Sequence, residues 1–215
     1  MEKEKLSALK KNLGRMCSHV LEYHRDGQTI PLFILTKVDF KKLENIRSEL
    51  RKKPFIFLTD EDLKNGSDVF PLDFLHMKAH TQVILGKENP FEKVRIKKAD
   101  LRQKLEYELR NKQIYLREEY LRIRNPYKFL PFILPTFDVL LTGLVSLAGK
   151  KLSEDFNQNG DKVSEWAGVN LDILKRLKKH EEEKTWKKID KNEIPSMIQE
   201  VHNALLGLLA KVDTL

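Results

Sequence analysis

The chain has 215 residues, with 40 Lys+Arg against 32 Asp+Glu for a net charge of +8, 40% hydrophobic residues, 9 Gly, 8 Pro and one Cys. This apolar content, with little Gly or Pro, excludes wholesale disorder and collagen-like or linker-like chains, and the length suits one large domain or two small ones. The lone Cys17 offers no intramolecular disulfide and no paired thiolates for a zinc ribbon, so a reducing, cytoplasmic setting is expected.

Met1 to Lys11 alternates Lys and Glu and lacks the apolar segment of a signal peptide. From Lys3 to about His24, Leu6, Leu9, Leu13, Met16, Cys17, Val20 and Leu21 recur at three- and four-residue steps, which predicts one helix with Gly27 as its stop. Ile30 to Leu35 is too short and apolar for a helix and reads as a buried strand with Pro31 at its start. Helical spacing returns at Val38, Phe40, Leu43, Ile46 and Leu50. Phe55 to Leu58 is a second short apolar run. It ends in Thr59-Asp60-Glu61-Asp62, where a Thr followed three residues later by a carboxylate predicts a helix N-cap, with Gly66 as the stop. Asp68 to Met77 fits strand or helix, and Gln82 to Leu85 before Gly86 is strand-like.

After Asn89-Pro90 strand-like runs cease and long helical patterns take over, so two domains are expected, an α/β domain over 1–90 and a helical bundle over 91–215. Asp100 to Arg124 is one helix, ended by Asn125-Pro126, and a buried helix follows from about Tyr127 to Ala148. The apolar stretch Phe129 to Ala148 is long enough to mimic a membrane span. Pro131, Pro135 and Asp138 interrupt it and Lys128 and Lys150 flank it, so no membrane partner is expected. Lys162 to Ala167, Asp172 to Lys179 and Ile194 to Asp213 complete the bundle. The expected class is therefore α+β, a small mixed sheet followed by an all-helical bundle.

The segments Phe55-Ile56-Phe57-Leu58-Thr59, Asp68 to Met77, Val83 to Glu88, Asp100 to Arg110 and Val212-Asp213-Thr214-Leu215 together resemble a group of two-domain proteins of the nucleotidyltransferase superfamily. The likeness spans most of residues 28 to 215. It implies a polymerase-beta-like palm followed by a C-terminal helical domain, with Mg²⁺ as cofactor where the enzyme is active. Such an enzyme holds nucleotide phosphates at a Gly-Ser turn that opens a helix, and binds Mg²⁺ with two alternating carboxylates on a strand and a third on a neighbour. In this chain the turn falls near Cys17-Ser18, inside the predicted helix. The acidic positions fall near Gln28 and Ile30, neither of which is a carboxylate. Asp26 and Asp39 flank that strand, and Asp73 matches the third carboxylate. The resemblance thus implies a palm whose acidic motif is lost, a non-catalytic module binding a nucleotide, an RNA or a protein. One alternative is an active Mg²⁺-dependent nucleotidyltransferase using Asp73, with Asp26 or Asp39 moved into register. Another is a helical interaction protein whose long helices mediate dimerisation, with the small sheet only a scaffold; its sign is an exposed apolar stripe on the last helix through Leu205, Leu208 and Leu209.

Three further constellations carry expectations. If Asp73 to His80 is helical, Asp73, His76 and His80 share one face at i, i+3 and i+7, a spacing that suits zinc or iron. Arg110, Arg117 and Arg124 recur at seven-residue intervals, a cationic row for phosphate or nucleic acid, set against pairing of Glu106, Glu108 and Glu118 with basic residues four positions on. Asp155 to Asp161 begins like a calcium loop but has Trp166 where the motif needs Glu, so a polar turn between helices is expected.

Overall fold

The computed structural model describes residues 3–25, 27–51 and 53–215. The protein is α+β, a four-stranded mixed sheet followed by a helical region. Contacts divide it into two compact units, Met1–Lys97 and Lys98–Leu215.

In the first unit the order is α1 (Lys3–Leu13), β1 (Cys17–Arg25), β2 (Gln28–Leu35), α2 (Phe40–Glu44), α3 (Arg47–Leu50), β3 (Ile56–Thr59), α4 (Asp60–Asn65), α5 (Pro71–His80) and β4 (Thr81–Leu85). The strands lie in the order β3-β2-β1-β4, with β1 antiparallel to β2 and β4, and β2 parallel to β3. The single helix predicted over Lys3 to His24 is corrected here. It ends at Leu13, Gly14 takes φ 59°, and Cys17–Arg25 is a strand. Because β1 is an inner strand, Val20 packs on one face and Leu21 and Tyr23 on the other, so burial does not alternate and the apolar spacing continues that of the helix before it. Asp26, beyond the end of β1, lies outside the described residues.

Apolar side chains cover both faces of the sheet. Leu6, Leu9 and Leu13 of α1 pack with Val20, Phe33, Leu35, Ile46 and Leu50 on one face; Phe74 and Met77 of α5 pack with Leu21, Tyr23, Leu32, Ile34 and Phe91 on the other. Pro31 is tolerated in the inner strand β2 because pairing with β3 starts one residue later, at Leu32. The Thr59 signal holds: Thr59 Oγ1 accepts from Asp62 N at 3.0 Å, and Thr59 N donates to Asp62 Oδ2 at 2.7 Å, a capping box that starts α4 at the end of β3. The ambiguous Asp68 to Met77 resolves as helix from Pro71, the residue best suited to a first helical position.

In the second unit α6 (Lys98–Arg122) and the last helix α11 (Ile194–Asp213) pack on one another, and α8 (Phe137–Leu147) packs on α6 and α9 (Phe156–Ala167). The helix α10 (Asp172–Glu182) packs against α9 and α11. The continuous helix predicted from Tyr127 to Ala148 is broken into α7 (Pro126–Phe129), a 3-10 turn over Leu130–Phe132, and α8, with Thr136 left-handed at φ 76°. The two prolines account for the break. By length and apolarity alone Pro126–Leu147 would suffice to cross a membrane, and 67% of its apolar 18-residue window is buried inside the protein.

Candidate functional site

A cleft of about 970 Å³ opens at one end of the sheet of the first unit. Its wall combines Lys10 of α1, Ser18 and His19 of β1, Asp60, Leu63 and Lys64 of α4, Ser67, and the segment from Gly86 to Arg95 that follows β4. Five basic side chains, Lys10, Lys64, Lys87, Lys93 and Arg95, face two acidic ones, Asp60 and Glu88. Glu88 already pairs with Lys93 at 3.5 Å. The excess of cations is a field in which an anion is concentrated.

Local folding explains how these groups meet. A bulge between Cys17 and His19 in the pairing of β1 with β2 sends Cys17 into the core while Ser18 and His19 line the cleft. Burial pushes the Cys17 thiol up to about 11, and its Sγ donates to His19 O at 3.2 Å, so it is an inert core group. Lys10 Nζ donates to Ser18 O at 3.1 Å and ties α1 to the strand. Ser18 Oγ donates its one proton to Ile34 O at 3.2 Å, so towards His19 Nδ1, 3.0 Å away, it must accept. Nδ1 therefore carries the hydrogen in neutral His19, and Nε2 is the nitrogen that titrates. Burial first, then the nearby charge of Lys10, lower the His19 pKa from 6.5; Asp60 opposes them, and Lys93 adds a still smaller lowering.

Gly86 completes the wall. Its φ is 138°, and a Cβ there would stand 2.2 Å from His19 Cδ2, so the imidazole lies directly on the backbone. Only a residue without a side chain permits this approach. Asn89 holds the next turn: its Oδ1 accepts from Phe91 N at 3.0 Å and its Nδ2 donates to Thr81 Oγ1 at 3.1 Å.

The residues singled out from sequence fall elsewhere. Asp73 lies in the first turn of α5 and pairs with Arg25 at 3.9 Å. His76, on the same helix, is buried, with its Nδ1 2.7 Å from Tyr23 Oη, and its ring stacks on that of His80 at 4.2 Å between centroids. The two imidazoles are within ligand reach of one another, but the Asp73 carboxylate is not grouped with them, so the i, i+3, i+7 set is not assembled. Gln28 is exposed at the start of β2, and Ile30 packs into the apolar cluster around Tyr23. Asp39 caps α2, accepting from Lys41 N at 3.0 Å.

In the second unit the three arginines of the row do not share one helix. Arg110 is held by Glu106 at 3.0 Å and Asp213 at 3.1 Å, Arg117 donates back to Gln113 O at 3.2 Å, and Arg124 lies past the end of α6. Asn125 caps the next helix and Pro126 follows, so α6 stops before the third member. Of the expected i+4 pairs, Glu106–Arg110 forms, whereas Glu108 pairs with Lys104 and Arg122 with Glu119. The expected polar turn at Asp155 is corrected too: Asp155 N-caps α9 and the following residues are helical, with Asn159 buried and bonded to the Ser153 backbone. Leu205, Leu208 and Leu209 are buried, so the exposed stripe required for dimerisation through the last helix is missing.

Sequence reasoning missed the cleft. It gave Ser18 and His19 to a helix and assigned Lys10, Lys64, Lys87, Lys93 and Arg95 no role, because they are scattered over the chain and share no spacing. The local signals were Gly86-Lys87 directly after a strand-like run and Ser18, where the resemblance puts its phosphate turn. No family model matches the chain, and no curated protein matches it.

Proposed function

We propose that the first unit is a nucleotidyltransferase-like domain that has lost its acidic metal-binding motif and holds a nucleotide by its phosphates without transferring it. The observation that carries this reading is the charge of the cleft, five basic side chains against two acidic in a concavity of about 970 Å³. That size suits a small-molecule ligand, for which sites run to about 300–1,000 Å³. Ser18, at the position that resembles the family's Gly-Ser turn, lines the same cleft. It opens a strand rather than a helix, so the phosphates would be met by side-chain cations and not by a helix N-terminus. Leu63, Pro90 and Val94 offer an apolar wall for a base.

The residues present do not fit a pair of Mg²⁺ ions. Gln28 is a neutral amide, Ile30 is packed among apolar side chains, and Asp73 is paired with Arg25. Hard cations of this kind need several carboxylate oxygens converging on one point.

Calorimetric titration of ATP, GTP, CTP and UTP, with Mg²⁺ and with chelator, tests the reading. The expected result is binding that persists in chelator and weakens as salt is raised. Lys10→Ala with Lys87→Ala should cost roughly tenfold, about 1.4 kcal/mol, through lost charge-assisted contacts. Binding that demands Mg²⁺ would restore the active enzyme, and silence from all four nucleotides would sink both readings.

A further inference from the structure

β3 is an outer strand, paired on one side with β2. Beside it, on the face that packs against α2 and α3, lies a groove of about 350 Å³. Buried Ile46 and Leu50 and half-buried Phe57 line it, together with Phe40 and Phe55, which are 80% and 40% exposed. The rings of Phe33, Phe57 and Phe55 follow one another at 5.0 and 5.4 Å between centroids, a ladder from the core to the surface. A single exposed phenylalanine is ordinary; two beside an apolar groove next to an outer strand, to which no further strand pairs among the described residues, mark a contact surface.

Charge identifies the partner. From Phe40 to Lys53 the chain has six basic and two acidic residues. One of those acids, Glu44, pairs with Arg47 at 3.0 Å, and Asp39 just upstream is used as the cap of α2. Arg47 and Arg51 lie along the groove itself, with Glu44 the one carboxylate in its lining. We infer that this groove docks an extended acidic segment of another protein, which adds as a strand to the outer edge of β3. Alternate side chains of an added strand point the same way, so apolar ones enter the groove while the intervening carboxylates meet the cations around it. This surface shares no residue with the nucleotide cleft.

The test uses the full chain and three labelled peptides of equal length, alternating Phe with Asp, Phe with Lys, and Ala with Asp, followed by fluorescence anisotropy. The Phe/Asp peptide should bind, and the other two should bind at least roughly tenfold more weakly. Arg47→Glu with Arg51→Glu should invert the preference to the Phe/Lys peptide, and Phe40→Ser should weaken both. Both variants alter exposed side chains, and an unchanged circular dichroism spectrum confirms that they fold. Equal binding of all three peptides, binding of none, or a preference that survives the charge reversal would overturn the inference. A concentration-dependent dimer abolished by Phe40→Ser would give the groove to a second copy of the chain, and would also overturn it.

Discussion

At Gly86 the backbone takes φ 138° with the His19 ring against it, so a methyl group there meets both a strained conformation and a 2.2 Å clash. Gly86→Ala should destabilise the protein by about 1–3 kcal/mol, read from denaturant unfolding, and displace His19 from the cleft. His19 itself sets a pH dependence. Its pKa lies below 6.5 in the free protein because of burial, Lys10 and Lys93. A bound phosphate adds negative charge beside it and raises that pKa, so binding takes up a proton in the window between the two values. Affinity should therefore tighten as pH falls through the bound-state pKa and level off below the free-state one. Comparing the wild type with His19→Gln removes the titration of the nucleotide itself, and identical pH profiles would show that His19 takes no part. Tyr23→Phe is a third probe: the hydroxyl 2.7 Å from His76 Nδ1 is buried, so its loss should cost about 1–3 kcal/mol in the same unfolding measurement.

Among the elements, α4 is short, and it starts on the capping box between Thr59 and Asp62. It also brings Leu63 and Lys64 to the cleft. Thr59→Ala should therefore cost about 1 kcal/mol of stability and weaken nucleotide binding together; a stability loss with affinity unchanged would separate α4 from the site. The element most misjudged from sequence is β1. Met16, Cys17, Val20 and Leu21 extend the three- and four-residue spacing of α1, yet they belong to a turn and to a strand covered on both faces. A strand buried on two sides has no period of two to display, and Gly14, where the helix gives way, stands inside the continuing apolar pattern. By contrast β2, β3, β4, α4 and α6 each carried a local signature, a short apolar run or a cap, and were legible within a few residues.

For the molecule as a whole, a net charge of +8 says only that an anionic partner is favoured. Where that charge acts is a matter of pairing. On α6 the basic residues are largely engaged by neighbouring carboxylates, whereas the cleft gathers cations from α1, α4 and the segment after β4. Arg110→Ala should accordingly leave nucleotide affinity unchanged and shift stability by under about 1 kcal/mol, because its ion pairs are exposed to solvent. A marked loss of nucleotide binding in that variant would return the arginine row to the functional surface.

The sequence by itself determined the α+β class, the change from mixed to helical character after Asn89-Pro90, and the absence of carboxylates at Gln28 and Ile30. These are local properties, written in periodicity, caps and residue identity. Only the tertiary structure decided that Leu205, Leu208 and Leu209 are core, that Asp73 turns to Arg25, and that Lys10, Ser18, His19, Lys64 and Lys87 share one cleft. Those outcomes depend on which distant segments the sheet brings together, and no spacing along the chain encodes a neighbour contributed by another strand.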